Sequence, residues 1–365
     1  MLIKRIAAGI IATLCATLIA LLIAEFVVRV THGDKITLFP RYHTDAHYGE
    51  FTLRRIRPNT IFWHTSIDGS WKFIIDNHGL RNSKNLSYDK PLNTVRVLSL
   101  GDSHTQGYEV RQDYTFSAVA EKYLLRRGRK AEVINAGISG FGTEEALLFL
   151  ENEGVKYQPD VVVLAFYAND LEDNLKSGFF KLDQNNTLNL LKHEHIPGVA
   201  IQNIIYELPL VDFLSQHSYF YSLLFNTVWD YSKNLSKAKV TEKVTEYAIP
   251  MQETVSDYQV RLAAALIKRM HQFCKAHNIK LVIADIPVLT AQNGIRSSFP
   301  VSMINSVRAH SDAFIFSESL LAEHNGAVEL HVPHGHRHIS ELTHAILGVS
   351  IGREVDALTA GSKHR

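Results

Sequence analysis

Cysteine is scarce in this chain. Of 365 residues only two are Cys. Cys15 lies in an apolar N-terminal run and Cys274 in a predicted helix, so no disulfide framework is expected. A thiol nucleophile at Cys274 is conceivable, but a small core residue on a helix face is the plainer role. Neither charge sign is in surplus: 38 Lys and Arg stand against 37 Asp and Glu. This balance excludes the basic footprint of a nucleic-acid binder and the acidic tail of a solvating segment. Three catalytic or phosphate-binding signatures are missing: the Gly-x-Ser-x-Gly elbow, the Gly-x-x-x-x-Gly-Lys phosphate loop and the Gly-x-Gly-x-x-Gly dinucleotide fingerprint. There is no internal repeat and no low-complexity tract. No cofactor is expected.

What is present begins with one long apolar run. Lys4 and Arg5 precede Ile6–Ala24, which carries no charged residue, and apolar character resumes after Glu25 through Val30. A helix needs about 20 apolar residues to cross the hydrocarbon core. A cleaved signal peptide would have a shorter apolar region and a small-x-small site. Ala20 and Ala24 are small, but Leu and Ile surround them. Positive charge before the span favours a cytoplasmic N-terminus, with Arg29 on the far side weighing slightly against it. Residues 1–31 are therefore expected to be a single-pass anchor in the inner (cytoplasmic) membrane. The body is then expected to lie outside it, in the periplasm.

Residues 32–94 read as a polar, irregular stalk followed by an accessory hairpin. In that hairpin Ile61–Ile67 and Ser70–Ile75 flank Asp68-Gly69, a dipeptide suited to a tight type I′ turn. From Val95 strands and helices alternate. Strands are expected at Val95–Leu100, Glu132–Asn135 and Val161–Phe166, and a helix from an N-cap at Thr143 through Leu150. Residues 175–255 break the rhythm as an insertion, with Val211–Trp229 read as helical. Its aromatic residues suit either a satellite core or a lid. A helix at Asp257–Cys274 and a strand at Lys280–Ile286 restore the pattern, and a last helix starts near Ser340. The expected domain covers 95–352, with 353–365 as a tail. The β-α-β-α-β order predicts an α/β fold, a three-layer α/β/α sandwich on a parallel sheet.

Sites in open parallel sheets form outside the carboxyl ends of strands. Three such ends carry unusual residues: Gly101-Asp102-Ser103-His104, Asn135-Ala136-Gly137-Ile138-Ser139-Gly140, and Asn169-Asp170. A serine hydroxyl needs a base, and His334-Gly335-His336-Arg337-His338 before the last helix supplies candidates. The alternating histidines could also suggest a metal site. No Asp, Glu or Cys cluster at metal spacing accompanies them, and no metal is expected.

These blocks resemble the GDSL/SGNH hydrolase family. VLSLGDSHTQG is similar to its nucleophile block, VINAGISGFGT to its glycine block, VVVLAFYANDLEDN to its asparagine block and HISELTH to its histidine block. Four blocks in order, from about Gly79 to Gly352, make the resemblance specific. The arrangement also resembles a bacterial subgroup with one N-terminal membrane span. The resemblance implies Ser103 as nucleophile and His338 as general base. It implies an oxyanion hole from the Ser103 amide, Gly140 and the Asn169 side chain. Asp102 would brace the nucleophile turn, and Gly137 would be a turn glycine and the main rival for the oxyanion role. His104 would line the groove, and His344 would be structural.

The sequence departs from the family at the orienting acid. The family has Asp two or three residues before the histidine, where this chain has His336 and Gly335. Three readings stay open. His338 works in a dyad held by a backbone carbonyl or by His336, a carboxylate such as Asp285 or Glu341 substitutes, or the enzyme is weak or inactive. The implied reaction is hydrolysis of acyl esters, with acylated surface glycans or lipids as partners suggested by topology. O-acyl transfer to a surface polysaccharide, or a non-catalytic glycan-binding or assembly role on a degenerate scaffold, are the alternatives.

Overall fold

A computed structural model of the chain describes residues 2–40, 42–193, 204–228, 255–290, 294–334 and 338–360. The N-terminal run forms one helix, α1 (Leu2–His32). It is long and apolar enough to cross a membrane by length and composition.

The segment expected to be an irregular stalk is not irregular. Residues β1 (His43–Tyr48) and β2 (Phe51–Ile56) pair as an antiparallel hairpin. The second hairpin is β3 (Ile61–Ser66) with β4 (Gly69–Ile74). Its register corrects the expected turn: Ser66 pairs with Gly69, so the loop is Ile67-Asp68 and Gly69 opens the returning strand. Asp68 is drawn elsewhere, because its carboxylate accepts hydrogen bonds from the His334 backbone N–H and from Nδ1 of the same residue.

The centre is a five-stranded, all-parallel sheet. Its strands are β5 (Val95–Gly101), β6 (Ala131–Gly137), β7 (Val161–Phe166), β10 (Lys280–Asp285) and β13 (Ala313–Ile315), in the order β13-β10-β7-β5-β6. A short hairpin, β8 (Phe180–Leu182) with β9 (Leu188–Leu190), and a two-residue pair, β11 (Val288–Leu289) with β12 (Ile295–Arg296), complete the strands among the described residues. Alternation along β7 explains why an unbroken apolar run is needed. Val161, Val163 and Ala165 enter one core with Phe116, Ala120, Leu124, Leu347, Ile351 and Val355. Val162, Leu164 and Phe166 enter the other with Leu147, Leu150, Leu266 and Met270.

The short helix α2 (Ser103–Gln106) follows β5 directly. Helix α3 (Phe116–Arg126) covers one face together with the last helix. On the other face lie α4 (Thr143–Asn152) and a long helix over Asp257–Ala276, with α5 (Asp170–Ser177) beside them. Gly142, not Thr143, is the N-cap of α4. The Thr143 hydroxyl instead donates to Asp170 Oδ2 at 2.9 Å. In the region read as an insertion, Phe179, Phe180 and Leu182 belong to the main core. Further on, α6 (Val211–His217) and α7 (219–228) pack on the β3–β4 hairpin and on α1. Counting on, α8 is Asp257–Ala276, α9 Val301–Ala309, α10 Ser317–Leu320 and α11 Glu341–Thr359. The last helix therefore runs past residue 352, and Val355 is fully buried.

Candidate active site

Three strand ends meet here. β5 delivers Gly101-Asp102, and Asp102 then caps α2: its Oδ1 accepts from the His104 backbone N–H at 2.8 Å. Capping fixes Ser103 as the first helical residue, on the crest of the turn. β6 lies in register beside β5, and Ile138 N–H donates to Gly101 O at 3.0 Å. Gln106 Oε1 accepts from Ser139 N–H at 3.0 Å, tying the glycine loop to α2.

Gly137 is buried where any Cβ would strike the Thr105–Gln106 backbone. Its N–H already donates to Asn135 Oδ1 at 3.1 Å. These two facts describe a close-packing glycine. Gly140 has φ 77°, a left-handed conformation suited to glycine, and its carbonyl accepts from Arg54 of β2. β7 leads to Asn169 at the start of α5. Asn169 makes no side-chain capping bond to that helix. Its amide donates to Asp173 Oδ2 at 2.9 Å and to Asp102 Oδ2 at 3.3 Å.

The histidine arrives from the far end of the sequence. A bridge between His331 and Ile339, with Val332 N–H donating to His338 O at 2.8 Å, pins the backbone of His338. Ser340 then caps α11. His338 Nε2 lies 2.8 Å from Ser103 Oγ. Its ring packs against Tyr108 at 4.7 Å and His104 at 4.8 Å between centroids. A hydroxyl hydrogen-bonded to an imidazole at a strand tip is the arrangement that nucleophilic acyl transfer needs.

The model of the GDSL-like lipase/acylhydrolase family matches residues 99–297. The chain belongs to that family. The family is one of ester-hydrolysing enzymes, and the matched stretch includes Ser103, Gly140 and Asn169 but ends before His338. An arylesterase from Vibrio mimicus is 33% identical over 75 residues, covering 20% of this chain and 38% of the relative. The chain thus spans well under half the length of that curated relative. Among solved structures, a lipase/acylhydrolase from Enterococcus faecalis is 16% identical, with 72% of this chain and 96% of that chain covered and a TM-score of 0.40. The psychrotrophic esterase EstA from Pseudoalteromonas sp. is 13% identical, with 74% and 100% covered and a TM-score of 0.39.

In this member of the GDSL-like family the charges around the imidazole come from unexpected places. The two carboxylates considered from sequence have other partners. Asp285 accepts from Ser298 N–H at 2.9 Å and from the Ser317 hydroxyl at 2.6 Å. Burial pushes its carboxyl up to about 6, against those hydrogen bonds. Glu341 takes a bidentate contact from Arg111, with Nε donating to Oε1 at 2.9 Å and Nη2 to Oε2 at 2.6 Å. His336 lies outside the described residues.

The sequence reading missed Glu109, which is buried. Its φ of 59° is uncommon for a residue with a Cβ. Glu109 Oε1 lies 3.6 Å from Nε2 of the fully buried His64 on β3. Burial alone would raise this carboxyl, but hydrogen bonds from His64 and Ser66 and the imidazoles of His64 and His338 together hold it below the usual range. Arg81, also missed, is buried against the Phe73 ring at 3.7 Å and donates to Gln106 O, Gly107 O and Val110 O. It thereby braces the end of α2 and the turn that carries Glu109. The sequence signals were faint: a lone Arg after His78-Gly79-Leu80, and a Glu six residues beyond the serine.

Two further histidines near the pair, His104 and His344, are buried packing groups. Burial, with the nearby His338 adding to it, pushes His104 well below its usual range. Burial pushes His344 down to about 3, and its Nδ1 accepts from Phe116 N–H at 3.1 Å. Buried Cys274 likewise has its thiol raised to about 12 by burial, which suits a core residue and not a nucleophile.

Proposed function

We propose that this protein is a membrane-anchored serine esterase with its catalytic domain outside the cytoplasmic membrane, acting on acyl esters of surface glycans or lipids. The observation that carries the catalytic half is the 2.8 Å contact between Ser103 Oγ and His338 Nε2 at the end of β5.

In the reaction, Ser103 Oγ attacks the ester carbonyl carbon while His338 Nε2 takes the hydroxyl proton. The carbonyl electrons move to oxygen, and the oxyanion is met by the N–H groups of Ser103 and Gly140 and by the Asn169 amide. For this Asn169 trades its longer bond, the one to Asp102, for the substrate oxygen. Collapse of the intermediate breaks the ester C–O bond, and His338 passes its proton to the leaving alcohol. A water, deprotonated by His338, then releases the acid and restores Ser103. Glu109 is a positioning residue: its buried negative charge favours the imidazolium that forms at each proton transfer.

The anchoring half rests on α1 and on the positive charge at its start. Hydrolysis of a small acetyl ester tests the chemistry: Ser103→Ala removes turnover and leaves the thermal midpoint unchanged. Turnover that survives in a folded Ser103→Ala protein refutes it. A reporter active only in the periplasm, fused to the C-terminus, tests the topology. Signal from a cytoplasm-only reporter refutes that half alone.

A further inference from the structure

The outer end of α1 is stitched to the segment 204–228. Glu25 accepts from the Ser218 hydroxyl at 2.7 Å and from the backbone N–H groups of Tyr219 and Phe220 at 3.1 and 2.9 Å. It therefore caps the N-terminus of α7 from another helix. Arg29 donates to His217 O at 2.9 Å and lies over the Tyr219 ring at 4.6 Å. Val28, Ile36 and Leu38 form a small core with Tyr219, Phe220 and Leu223. These contacts fix the position of 204–228 along α1.

Helix geometry converts that position into a depth. At about 1.5 Å per residue, the twenty residues from Arg5 to Glu25 rise about 30 Å, the thickness of the hydrocarbon core. With Arg5 at the inner face, Glu25 and everything bonded to it lie at the outer interface. The segment held there is packed in part and exposed in part. Tyr206, Val211 and Tyr221 pack against the β3–β4 hairpin. Within the same segment Ile204, Leu208, Leu210, Phe213, Leu224 and Val228 are each between 52% and 71% exposed. Exposed apolar side chains in that number, on a segment bonded to a spanning helix, mark a lipid contact. Residues 204–228 carry no Lys or Arg, only Glu207 and Asp212. Attraction to anionic headgroups therefore contributes nothing, and apolar burial does the work.

We infer that helices α6 and α7 form a monotopic platform that lies in the outer interface of the lipid bilayer, with Leu210 and Phe213 entering the acyl region. This rests on the anchoring reading above. The platform also sets the height of the catalytic site. α6 packs on β3, with Trp63 N–H donating to Gln216 Oε1 at 2.9 Å. Further along β3, His64 touches Tyr108 at 4.2 Å between ring centroids, and Tyr108 touches His338. The site is thus held close to the membrane surface by a continuous packed path.

The test uses the full chain, with Cys15 and Cys274 replaced by Ala, in phosphatidylcholine vesicles. Single cysteines at Leu210→Cys and Phe213→Cys carry a polarity-sensitive bimane. Ile10→Cys serves as the spanning control and Leu125→Cys as the aqueous control. The inference predicts blue-shifted emission at 210 and 213, quenched by nitroxides near the top of the acyl chains and unchanged when phosphatidylglycerol is added. The label at 125 stays unquenched, and unchanged thermal midpoints confirm folding. Quenching at 10 but not at 210 or 213 overturns the platform and leaves the anchor standing. No quenching at 10 refutes the anchor itself, and the platform with it. Blue-shifted but unquenched emission at 213 that grows with protein density overturns it in favour of a second copy of the chain.

Discussion

The two halves of the proposed Ser103–His338 pair are built in different ways. The serine side is local. Asp102 caps α2, Ser103 opens it, and the glycine loop returns onto Gln106 within 36 residues of the nucleophile. The histidine side is assembled from across the chain: Tyr108 and Glu109 after α2, His64 from an accessory hairpin, and a bridge between His331 and Ile339. A nucleophile is presented by backbone geometry, which a few consecutive residues determine. An imidazole is tuned by charge and burial, which require groups from several directions. The first arrangement survives in a motif, whereas the second leaves only scattered residues.

The comparison breaks most sharply at the pair itself. Ser103→Ala and His338→Ala should each lower kcat by on the order of 10^4-fold or more, and the double variant by little more than either, because the groups act as a unit. Initial rates on an acetyl ester measure this. Additive losses would mean that His338 is not the base.

Asn169→Ala should lower kcat by roughly two orders of magnitude while KM changes less, the usual result of losing one oxyanion donor. The amide caps nothing, so the melting temperature should move little. A large drop in stability with kcat intact would make Asn169 a brace between Asp102 and Asp173.

Glu109→Gln should lower the plateau of kcat by about tenfold, or about 1.4 kcal/mol of transition-state stabilisation. Among the described residues, Ser103, His104, Tyr108, Glu109 and, at longer range, His344 face His338. Of these Glu109 is the one carboxylate, and it favours the charged imidazole. Removing its charge should therefore shift the acid limb of kcat/KM to lower pH. A purely structural glutamate would lower the melting temperature and leave that limb in place. His64 is the next residue to test, since it binds the same carboxylate.

A separate effect concerns stability. His344 is depressed to about 3 in the folded state, against an ordinary value near 6.5. Its contribution is fully present above about pH 6.5 and is lost as pH falls toward 3, because the unfolded chain binds the proton first. His344→Gln should flatten the acid side of the stability curve by up to about 1.4 kcal/mol per pH unit. Urea titrations between pH 7 and 4 would show it. An unchanged slope would mean that His344 is not buried neutral.

How much was legible follows the same division. β5, β6 and β7 could be read because strands buried on both faces are unbroken apolar runs. The β1–β2 hairpin could not. His43–Tyr48 reads as polar, and its Ala46 and Tyr48 are buried only because they meet the main core, with Tyr48 set edge-on to Phe149 of α4. The β3–β4 turn was misplaced by one residue, at Asp68-Gly69 where the loop is Ile67-Asp68, and the partner of Asp68 is His334, 266 positions away. Glu109 was invisible for a like reason: nothing in YEVRQ hints at His64 or at a left-handed backbone. The serine, glycine and asparagine blocks were legible as a family pattern, since each sits at the end of its own strand.

The pairing of Ser103 with His338 is tested most directly by covalent trapping. The full chain is treated with a fluorophosphonate, and the adduct is mapped by mass spectrometry in wild type and in His338→Ala. The account predicts a single adduct on Ser103 in wild type, with labelling slowed by orders of magnitude in the folded His338→Ala variant. An adduct on another residue, or equal labelling of Ser103 in both proteins, would contradict it.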